Sequence, residues 1–408
     1  MNRTHLGLFV SAICVGIFLS TSTPTARADA LDNWTTNQVS TNSFQLNRVV
    51  YGGGRYVAAG GLGDGGVLMS SEDGVNWTLR AYDGSSGPPS LVWGLTYGGG
   101  RFVAVGHFGG TASSTNGIDW TINYGGDGWP DSLGLSGVAY GNGVYVAVGN
   151  NSGSVSSIFT STNGIHWTAP PKHPSEVRDV YDVAFGTRFG TGFFVAVAEG
   201  GYIYRQTGDS FWLRSGSPMG VGSRISYCRD LLITPVSAGV NLLSLDGISW
   251  AAVNTGVAKL LGKPIYAAGM FFARAGNSLT SRDSFATSTD GTNWVLRTQQ
   301  FPTWSSDIAS DGSRLVIVGA TSPGWNAFTF TSDSLLEIGI EDASPHRIKL
   351  TGVVNRPYRV EFLPSLPSSA TNPWQTLTNL ILPSSPYFIA DHESPSAAQR
   401  YYRAVLLP

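Results

Sequence analysis

The chain is poor in cysteine, poor in charged residues and, beyond its N-terminus, free of long apolar runs. Two of its 408 residues are Cys, 13% are charged and the formal net charge is −2. A near-neutral chain without a basic stripe is not typical of nucleic-acid-binding proteins, and it lacks the polybasic cluster that binds anionic membranes. We therefore expect neither nucleic acid nor a membrane surface as a partner.

The N-terminal segment is typical of a secretory signal peptide. Arg3 and His5 precede an apolar run from Leu6 to Leu19, and Ala26-Arg27-Ala28 is a small-residue cleavage site. The run falls short of the roughly 20 residues that a membrane-spanning helix needs. We predict that residues 1–28 are a signal peptide and that the mature protein is secreted, without a membrane span, to the periplasm or cell envelope or outside the cell.

Removal of that segment leaves Cys228 as the single cysteine of the chain. One thiol cannot form an internal disulfide, so stability has to come from burial and backbone pairing. Cys228 ends the strand-like stretch that begins at Arg224, and we predict a buried, unreactive thiol.

Glycine and aromatic residues are abundant, and they belong to a repeat. The chain has 52 Gly, which supply the positive φ angles of tight turns. The repeated motif is Ser-x-Asp/Asn-Gly-x-x-Trp, and its successive Trp residues are 38 to 47 positions apart. Near-copies at this spacing indicate one structural unit of roughly 44 residues. The copies are SEDGVNW, STNGIDW, STNGIHW, a degenerate TGDSFW, SLDGISW and STDGTNW.

A second recurring unit precedes each copy of the motif. VVYGGGRYVAAG, LTYGGGRFVAVG and VAYGNGVYVAVG are nearly superimposable, and looser versions start at Val183, Ile225, Pro264 and Ile308. Each is a short apolar strand, a Gly-rich hairpin turn and a second apolar strand. A third strand leads into the motif and a fourth begins at its Trp. Four strands in one repeat predict one blade of a β-propeller.

The residue types of the motif suit a stapled hairpin. The Asp or Asn side chain folds back onto backbone N–H groups, Gly takes the left-handed position, and Ser or Thr adds a further hydrogen bond. The Trp buries its ring between neighbouring blades. Because the motif recurs, it indicates architecture rather than chemistry. The residues to which we assign this structural role are Asp73, Trp77, Asn116, Trp120, Asn163, Trp167, Asp246, Trp250, Asp290, Trp294 and, from the paragraph below, Trp34.

Seven repeat units are present, and the last one is incomplete. Ser332 and Asp333 occupy its turn, but no Trp follows. The missing Trp-headed strand is present at the other end of the chain, at Trp34, so pairing of the two ends would close a ring and remove open sheet edges. We predict an all-β fold, a seven-bladed β-propeller over residues 29–338, with six or eight blades as alternatives.

The repeat resembles that of the Asp-box (bacterial neuraminidase repeat) propellers, which include sialidases, related glycosidases and non-enzymatic photosystem assembly factors. In that family the box is written Ser-x-Asp-x-Gly-x-x-Trp, whereas here Gly follows directly, as in Asp73-Gly74 and Asp290-Gly291. The resemblance therefore implies membership of a broad superfamily rather than of the sialidases proper. The Arg-Ile-Pro element that sialidases carry before their first box has no counterpart here.

The repeat stops near Gly339. The strings HRIKLTG, PYRVEFLPSL, PWQTLTNLIL, PYFIAD and RYYRAVLLP alternate polar and apolar residues, which predicts about five short strands. We predict a small β-sandwich-like module over residues 339–408. It is similar to the fibronectin-type or immunoglobulin-like tails of secreted bacterial proteins, and the resemblance implies a spacer or attachment role.

One position of the innermost strand carries charge in an otherwise apolar strand. The equivalent residues of the seven repeats are Arg48, Gly94, Gly137, Asp182, Arg224, Lys263 and Asp307. We expect them to surround one mouth of the central channel. The hypothesis is that this ring, with Tyr181 and Glu199 nearby, binds a polar ligand; the alternative is that the charges pair with one another and stay hydrated.

Tryptophans outside the motif offer a second candidate surface. Trp93, Trp129, Trp304 and Trp325 precede or follow blades, and Trp129 in GGDGWPDS is the one that we expect to be exposed and able to stack on a sugar. The histidines and carboxylates lack the spacing of a metal site. We assign no metal, no cofactor and no catalytic residue.

Function does not follow from a propeller fold, because propellers support binding and catalysis alike. Our first hypothesis is a monomeric, non-enzymatic binding or scaffold protein that presents one face to a glycan or protein ligand. A carbohydrate-active enzyme, sialidase-like hydrolase or lyase, is the alternative; it needs a carboxylate pair in a cavity, for which Asp182, Glu199 and Asp307 are the candidates. An assembly factor for an envelope complex is the third.

Overall fold

The computed structural model describes residue 31 and residues 33–407, with gaps at 63–64, 83–91, 124–132, 151–157, 169–178, 208–210, 217–221, 237–238, 258, 277–282, 302–303, 321–325, 344–345, 364–373 and 393–399. The predicted signal peptide, residues 1–28, lies outside these residues. In the described part of the chain, no helix has the length and hydrophobicity to cross a membrane.

The chain begins with one strand and then builds small antiparallel sheets one after another. The first strand is β1 (Trp34–Ser43). Sheet 1 comprises β2 (Gln45–Gly52), β3 (Arg55–Leu62), β4 (Gly65–Ser71) and β5 (Thr78–Tyr82). Sheet 2 comprises β6 (Val92–Gly98), β7 (Arg101–Gly106), β8 (Thr111–Ser114) and β9 (Thr121–Asn123), with the 3₁₀ segment His107–Gly109 between β7 and β8.

The next three sheets follow the same order. Sheet 3 comprises β10 (Gly134–Gly141), β11 (Val144–Asn150) and β12 (Ile158–Ser161), and an isolated bridge joins Thr160 to Thr168. Sheet 4 comprises β13 (Val180–Arg188), β14 (Thr191–Ala198), β15 (Tyr202–Thr207) and β16 (Phe211–Gly216), with the 3₁₀ segment Glu199–Gly201 between β14 and β15. Sheet 5 comprises β17 (Ser226–Cys228), β18 (Leu231–Pro235), β19 (Val240–Ser244) and β20 (Ala251–Asn254).

Two further sheets complete this part of the molecule. Sheet 6 comprises β21 (Ile265–Ala267), β22 (Met270–Gly276), β23 (Asp283–Ser288) and β24 (Val295–Phe301). Sheet 7 comprises β25 (Trp304–Ser310), β26 (Leu315–Ala320), β27 (Asn326–Ser332) and, as its outer strand, β1. Within each sheet, consecutive strands are hydrogen-bonded neighbours, as the hairpin pattern of the sequence predicts.

The first strands of the sheets form a closed ring. β2 contacts β6, and the contacts continue through β10, β13, β17, β21 and β25, which in turn contacts β2. The hydrophobic clusters lie between neighbouring sheets: Val57 and Leu68 of sheet 1, for example, pack with Leu95 and Phe102 of sheet 2. Radial sheets around a central axis, with the core divided among the gaps between them, are the arrangement of a β-propeller.

Strand β1 closes the ring by joining the two ends of this region. It runs antiparallel to β27, with Trp34 opposite Ser332 and Thr36 opposite Phe330. The indole ring of Trp34 lies edge-on to Phe285 and Phe301, each at a centroid distance of 5.3 Å. The pairing expected between the Trp34 strand and the last repeat is therefore present in the structure.

The Ser-x-Asp/Asn-Gly turn joins the third and fourth strands of a sheet. In sheet 1, Asp73 Oδ1 accepts the backbone N–H groups of Val75 and Asn76, both at 2.8 Å, and Ser71 Oγ accepts that of Gly74 at 2.9 Å. Burial raises the pKa of Asp73, but the hydrogen bonds from Asn76 and Val75 outweigh it and lower the pKa to about 2. The same bonds form at Asn116, Asn163, Asp246 and Asp290.

Each turn also packs against the preceding sheet. A Cβ on Gly74, where φ is +75°, would lie 2.5 Å from Cγ2 of Val316 in sheet 7, and Thr331 Oγ1 donates to the Gly74 carbonyl at 2.6 Å. A Cβ on Gly117 of sheet 2 would similarly meet Val57 of sheet 1. Glycine is needed here both for the left-handed backbone and for the close approach of the preceding sheet.

The motif tryptophans pack in the gap between their own sheet and the one before it. Trp77 contacts the cluster shared by sheets 7 and 1, and Trp120 contacts the cluster shared by sheets 1 and 2. Trp167 and Trp294 are buried, and Nε1 of Trp294 donates to the carbonyl of Gly291 at 3.0 Å. The degenerate fourth copy has residues 208–210 outside the described residues, and its Trp212 lies in β16.

Six strands follow the ring and form two three-stranded sheets. These strands are β28 (Leu336–Ala343), β29 (His346–Gly352), β30 (Pro357–Leu363), β31 (Gln375–Ile381), β32 (Tyr387–Asp391) and β33 (Tyr401–Leu406), in the orders β28-β29-β32 and β31-β30-β33. The two sheets share a core that includes Ile348 and Val360. They join the ring through Val353, which packs with Leu335, and through Arg356, whose Nη2 donates to the Gly269 carbonyl at 3.0 Å.

Candidate functional site

A channel of about 650 Å³ runs along the axis of the ring. Its wall consists of the inner strands of the sheets, and equivalent residues of these strands form successive layers. The layer nearest the start of the strands is polar and charged, the middle layers are aliphatic, and the last is aromatic. The channel therefore has two chemically different ends, which we call the charged mouth and the aromatic mouth.

The charged mouth contains the residues that the repeat alignment places at one position. Arg48, Gly94, Gly137, Asp182, Lys263 and Asp307 line the channel. Arg224 is half-buried and is not among the lining residues, but its charge lowers the pKa of Arg48, so the two side chains are close. The structure thus brings together the five charged residues that the sequence predicts to surround one mouth.

A β-bulge just before the ring position turns these side chains inward. In sheets 1, 2, 3, 4 and 7, the register shifts between Leu46 and Arg48 or at the equivalent residues. A bulge adds one residue to a strand and redirects the side chains around it. The extra residues of sheets 1 and 3 bind the next sheet: Asn47 Nδ2 donates to the Val92 carbonyl at 3.1 Å, and Ser136 Oγ to that of Val180 at 2.8 Å.

Both aspartates of the charged mouth accept a backbone N–H group from the neighbouring sheet. Asp182 Oδ2 lies 3.0 Å from the nitrogen of Ile225, and Asp307 Oδ2 lies 3.2 Å from that of Val49. In each case the donor follows the arginine of the next sheet, Arg224 or Arg48. The two carboxylates are buried, and each bridges two adjacent sheets.

Lys263 neutralises one of these carboxylates. Its Nζ lies 2.8 Å from Asp182 Oδ1. The ion pair therefore joins sheet 4 to the segment that leads into sheet 6. A Cβ on Gly137 would lie 2.7 Å from the same oxygen, so this glycine leaves the room that the carboxylate occupies. Through the Ile225 N–H group and Lys263, the buried Asp182 side chain links sheet 4 to sheets 5 and 6.

Arg48 has fewer partners than its burial requires. The residue is only 7% exposed, and its Nη1 donates to the Asn47 carbonyl at 2.6 Å. Among the described residues, Nη2 has no hydrogen-bond partner. Burial and the charge of Arg224 lower the pKa of Arg48 to about 10, although Asp307 and Asp182 act in the opposite direction.

The other predicted site residues lie apart from the channel wall or outside the described residues. Tyr181 is half-buried and Glu199 is exposed, and burial together with the Glu199 charge raises the pKa of Tyr181. Neither is among the residues that line the channel. Trp129 lies outside the described residues. Trp93 is half-buried and its ring lies 5.9 Å from that of His107.

The aromatic mouth was not predicted from the sequence. Its residues are Tyr51, Tyr97, Tyr140, Phe185, Tyr227 and Tyr266, each three positions after the ring residue of its strand. In sheets 1 to 4 a glycine directly follows the aromatic residue. Each of these glycines lies under the aromatic ring of the next sheet, as Gly52 lies under Tyr97. The Tyr-Gly and Phe-Gly pairs repeated in the hairpin strings are the signal that could have revealed it.

Cys228 also lines the channel near this mouth. The residue as a whole is partly exposed, whereas its thiol is buried enough for its pKa to rise, as expected of an unreactive cysteine. Its Sγ donates to the Pro264 carbonyl at 3.2 Å, and burial raises its pKa to about 11.

The two mouths differ in what surrounds them. At the aromatic mouth the strands are joined by short hairpin turns and by the Ser-x-Asp/Asn-Gly turns, and Gly269, which Arg356 contacts, is part of such a hairpin. The two C-terminal sheets therefore lie on that side. The described connections on the side of the charged mouth include the 3₁₀ segments His107–Gly109 and Glu199–Gly201. Residues 83–91, 124–132 and 169–178 lie outside the described residues.

The three candidate carboxylates for glycoside hydrolysis have different surroundings. Asp182 and Asp307 each accept a backbone N–H group, whereas Glu199 is exposed and absent from the channel wall. In the described residues, no group of three or more His, Cys, Asp and Glu side chains could hold a metal ion. What the charged mouth offers chemically is a buried guanidinium with an open donor.

Comparison with known proteins supports the fold. Neither a protein-family description nor a curated protein matches the chain, but 717 chains of solved structures do. A structure of YCF48 bound to D1 peptide matches with a TM-score of 0.55 and 17% identity, over 74% of this chain and 98% of that one. A chain of the mitotic checkpoint complex matches with a TM-score of 0.53 and 11% identity, over 81% and 99%. The likeness shows a β-propeller fold.

Proposed function

We propose that this chain is an exported, non-enzymatic binding protein, a seven-bladed propeller of the Asp-box type that binds a protein ligand at its charged mouth. Sheets 1 to 7 are the blades of the propeller, and the two C-terminal sheets form a separate β-sandwich-like module that acts as a spacer. The basic and apolar pattern of residues 1–28 supports export.

One observation carries the choice of surface. Among the residues of the channel wall, the charged mouth combines buried charged side chains with a donor that has no partner, Nη2 of Arg48. Unpartnered buried polar groups are costly in a folded protein, and a ligand that supplies the missing partner is one explanation for such a group in a cavity wall. The opposite side is the one on which the C-terminal sheets lie, through Arg356 and Val353.

A protein ligand is favoured over a glycan by what is present at this mouth. Arginine is enriched where proteins bind proteins, and the charged mouth contains two neighbouring arginines, Arg48 and Arg224. The two fold neighbours named above are structures of propellers with a peptide or within a protein complex. The aromatic candidate for sugar stacking, Trp129, lies outside the described residues.

Site-specific photo-crosslinking tests this proposal. Phe108 is 45% exposed between β7 and β8, on the side of the charged mouth, and Phe189 is 94% exposed in the hairpin turn between β13 and β14, on the opposite side. A photoreactive phenylalanine analogue at position 108 should crosslink to a defined protein in the native cell envelope, and one at position 189 should not. Crosslinks from position 189 alone, or no protein adduct together with binding on a glycan array, would overturn the proposal.

Charge reversal at the mouth provides the second arm of the experiment. Arg224→Glu should abolish the crosslink from position 108, because it reverses the charge next to Arg48. Arg80→Glu, on outer strand β5 of sheet 1, is the matched control and should leave the crosslink intact. An unchanged crosslink in the Arg224→Glu protein would show that the charged mouth does not bind the partner.

A further inference from the structure

The charged mouth has more positive than negative charge once its internal pairs are counted. Lys263 pairs with Asp182 at 2.8 Å. Arg48 and Arg224 are then balanced by the single carboxylate of Asp307, and the like charges of Arg224 and Arg274 both lower the pKa of Arg48. Arg274 is itself engaged by Ser305 Oγ and the Ser306 carbonyl.

The geometry of the Arg48 guanidinium group indicates which type of ligand could bind at the charged mouth. Its guanidinium is a planar fork that loses its proton only at high pH, and one prong, Nη1, is taken by the Asn47 carbonyl. Arg48 lines the channel with a side chain that is 7% exposed, and its Nη2 has no hydrogen-bond partner among the described residues. Charged donors pair best with carboxylates, whose two oxygens match the guanidinium fork.

We propose that the charged mouth is a carboxylate-binding site in which Nη2 of Arg48 is the principal donor and the charge of Arg224 assists. The inference rests on the proposed function and deepens it: the carboxylate belongs to the protein ligand, as an acidic side chain or as its C-terminus. Asp307 and Asp182 shape the site by holding the backbone on which the two arginines are placed.

A purely structural Arg48 would behave differently from a ligand-binding one. If the side chain were a strut between the Asn47 carbonyl and the charge of Asp307, its removal would lower the stability of the free protein. If it is held ready for a ligand, the free protein carries the cost of a buried charge that lacks a partner, and removal of that charge relieves it. The stability of the free protein therefore discriminates between the two roles.

Thermal unfolding of the chain without residues 1–28 tests the site with acetate as the probe. Acetate should raise the Tm relative to chloride at equal ionic strength, because a ligand that binds only the folded state stabilises it. In Arg48→Met the acetate dissociation constant should rise about 10- to 100-fold, as expected for the loss of a charged hydrogen bond. The Tm of the free Arg48→Met protein should equal or exceed that of the wild type.

The control is Arg80→Met, which removes an arginine of sheet 1 that donates to Ser70 Oγ at 2.8 Å away from the channel. It should keep the full acetate effect. Equal acetate and chloride effects in the wild type, or an acetate effect that survives in Arg48→Met, would overturn the inference. So would a lowered Tm of free Arg48→Met, which would make Arg48 a strut.

Peptides distinguish the two sources of the carboxylate and keep the test separate from that of the proposed function. Trialanine with a free C-terminus should bind more tightly than its amide if a chain end is recognised, and N-acetyl-aspartate amide should bind if a side chain is. Binding of neither would contradict a polypeptide carboxylate. If no protein crosslinks from position 108 but acetate still binds, the proposed protein ligand is refuted and the carboxylate-binding site is retained.

Discussion

Asp307 accepts the backbone N–H group of Val49 at 3.2 Å, although 258 residues separate the two in the chain. The bond joins sheet 7 to sheet 1 at the channel wall, where Asp182 and Ile225 make the equivalent bond between sheets 4 and 5. An aspartate thus links two sheets that are consecutive in the chain, 4 and 5, and another links sheets 7 and 1, where the ring closes.

We expect Asp307→Ala to destabilise the protein by about 1–3 kcal/mol, because the buried N–H group of Val49 would lose its acceptor. Asp307→Asn should cost less, since an amide oxygen can still accept that hydrogen bond. The midpoint of urea denaturation, followed by tryptophan fluorescence, measures both. Lys259→Ala, at an exposed position, is the control; a midpoint for Asp307→Ala equal to that of the control would contradict the assignment.

Gly74→Ala should destabilise the protein more than Gly54→Ala. The two glycines have nearly the same φ, +75° and +76°, so the strain of a left-handed alanine, about 1 kcal/mol, is common to both. Only at Gly74 would the new Cβ meet Val316 of sheet 7, at 2.5 Å, whereas nothing lies within 4 Å at Gly54. The difference between the two denaturation midpoints measures the cost of disturbing that contact. Equal midpoints would show that sheets 1 and 7 can separate without cost.

The turn at Asp73 should make stability depend on pH in acid. The folded pKa of Asp73, about 2, lies below its ordinary value of 3.8. Its carboxylate therefore contributes stability that is present above the ordinary value and is lost as the pH falls from about 4 to about 2. Asp73→Asn removes this titration while the side-chain oxygen can still accept the two N–H groups, as Asn116 does.

The matched rescue exchanges the two polar residues of that turn. Asn76 Nδ2 donates to Asp73 Oδ2 at 2.7 Å, whereas in sheet 2 Asn116 Nδ2 donates to Asp119 Oδ2 at 2.9 Å. Asp73→Asn with Asn76→Asp reproduces the sheet 2 pair and should recover the stability that Asp73→Asn alone loses at neutral pH. A double variant no more stable than the single one would show that the pair does not contribute.

Cys228 should react slowly with iodoacetamide despite its partial exposure to the channel. Its pKa of about 11 leaves little thiolate at pH 8, and the thiolate is the reactive species. We expect the alkylation rate, measured by mass spectrometry on the chain without residues 1–28, to rise between about pH 9 and pH 11. The urea-unfolded chain is the control and should react faster at pH 8. A native rate equal to the unfolded rate would contradict the burial of the thiol.

The repeat made much of the architecture readable in advance, because each copy carries its own turn and strand signals. The partner of the Trp34 strand and the position that brings Arg48 near Asp182 both follow from aligning the copies. The roles of Asp182 and Asp307 did not follow, because their partners are backbone groups of a different repeat. The bulge before Arg48 was likewise hidden, since the extra residue, Asn47 in sheet 1, has no common type.

The interlocking of the aromatic mouth was missed for a related reason. A pattern within one repeat shows that Tyr97 and Gly98 are neighbours, but not that Gly98 accommodates Tyr140 of the following sheet. Glycine was interpreted there as a turn former only. Glycine is required where two sheets approach closely as well as where φ is positive. A glycine in the sequence does not show which of the two requirements it meets.

The pairing of β1 with β27 imposes an order on synthesis and folding. The first strand to be made has no partner until the last sheet of the ring exists, so it waits while sheets 1 to 6 form. A nascent chain stopped before Ser332 would therefore carry an unpaired, Trp-headed strand at one end and an open sheet edge at the other. Closure of the ring therefore needs segments from both ends of this region in the same molecule.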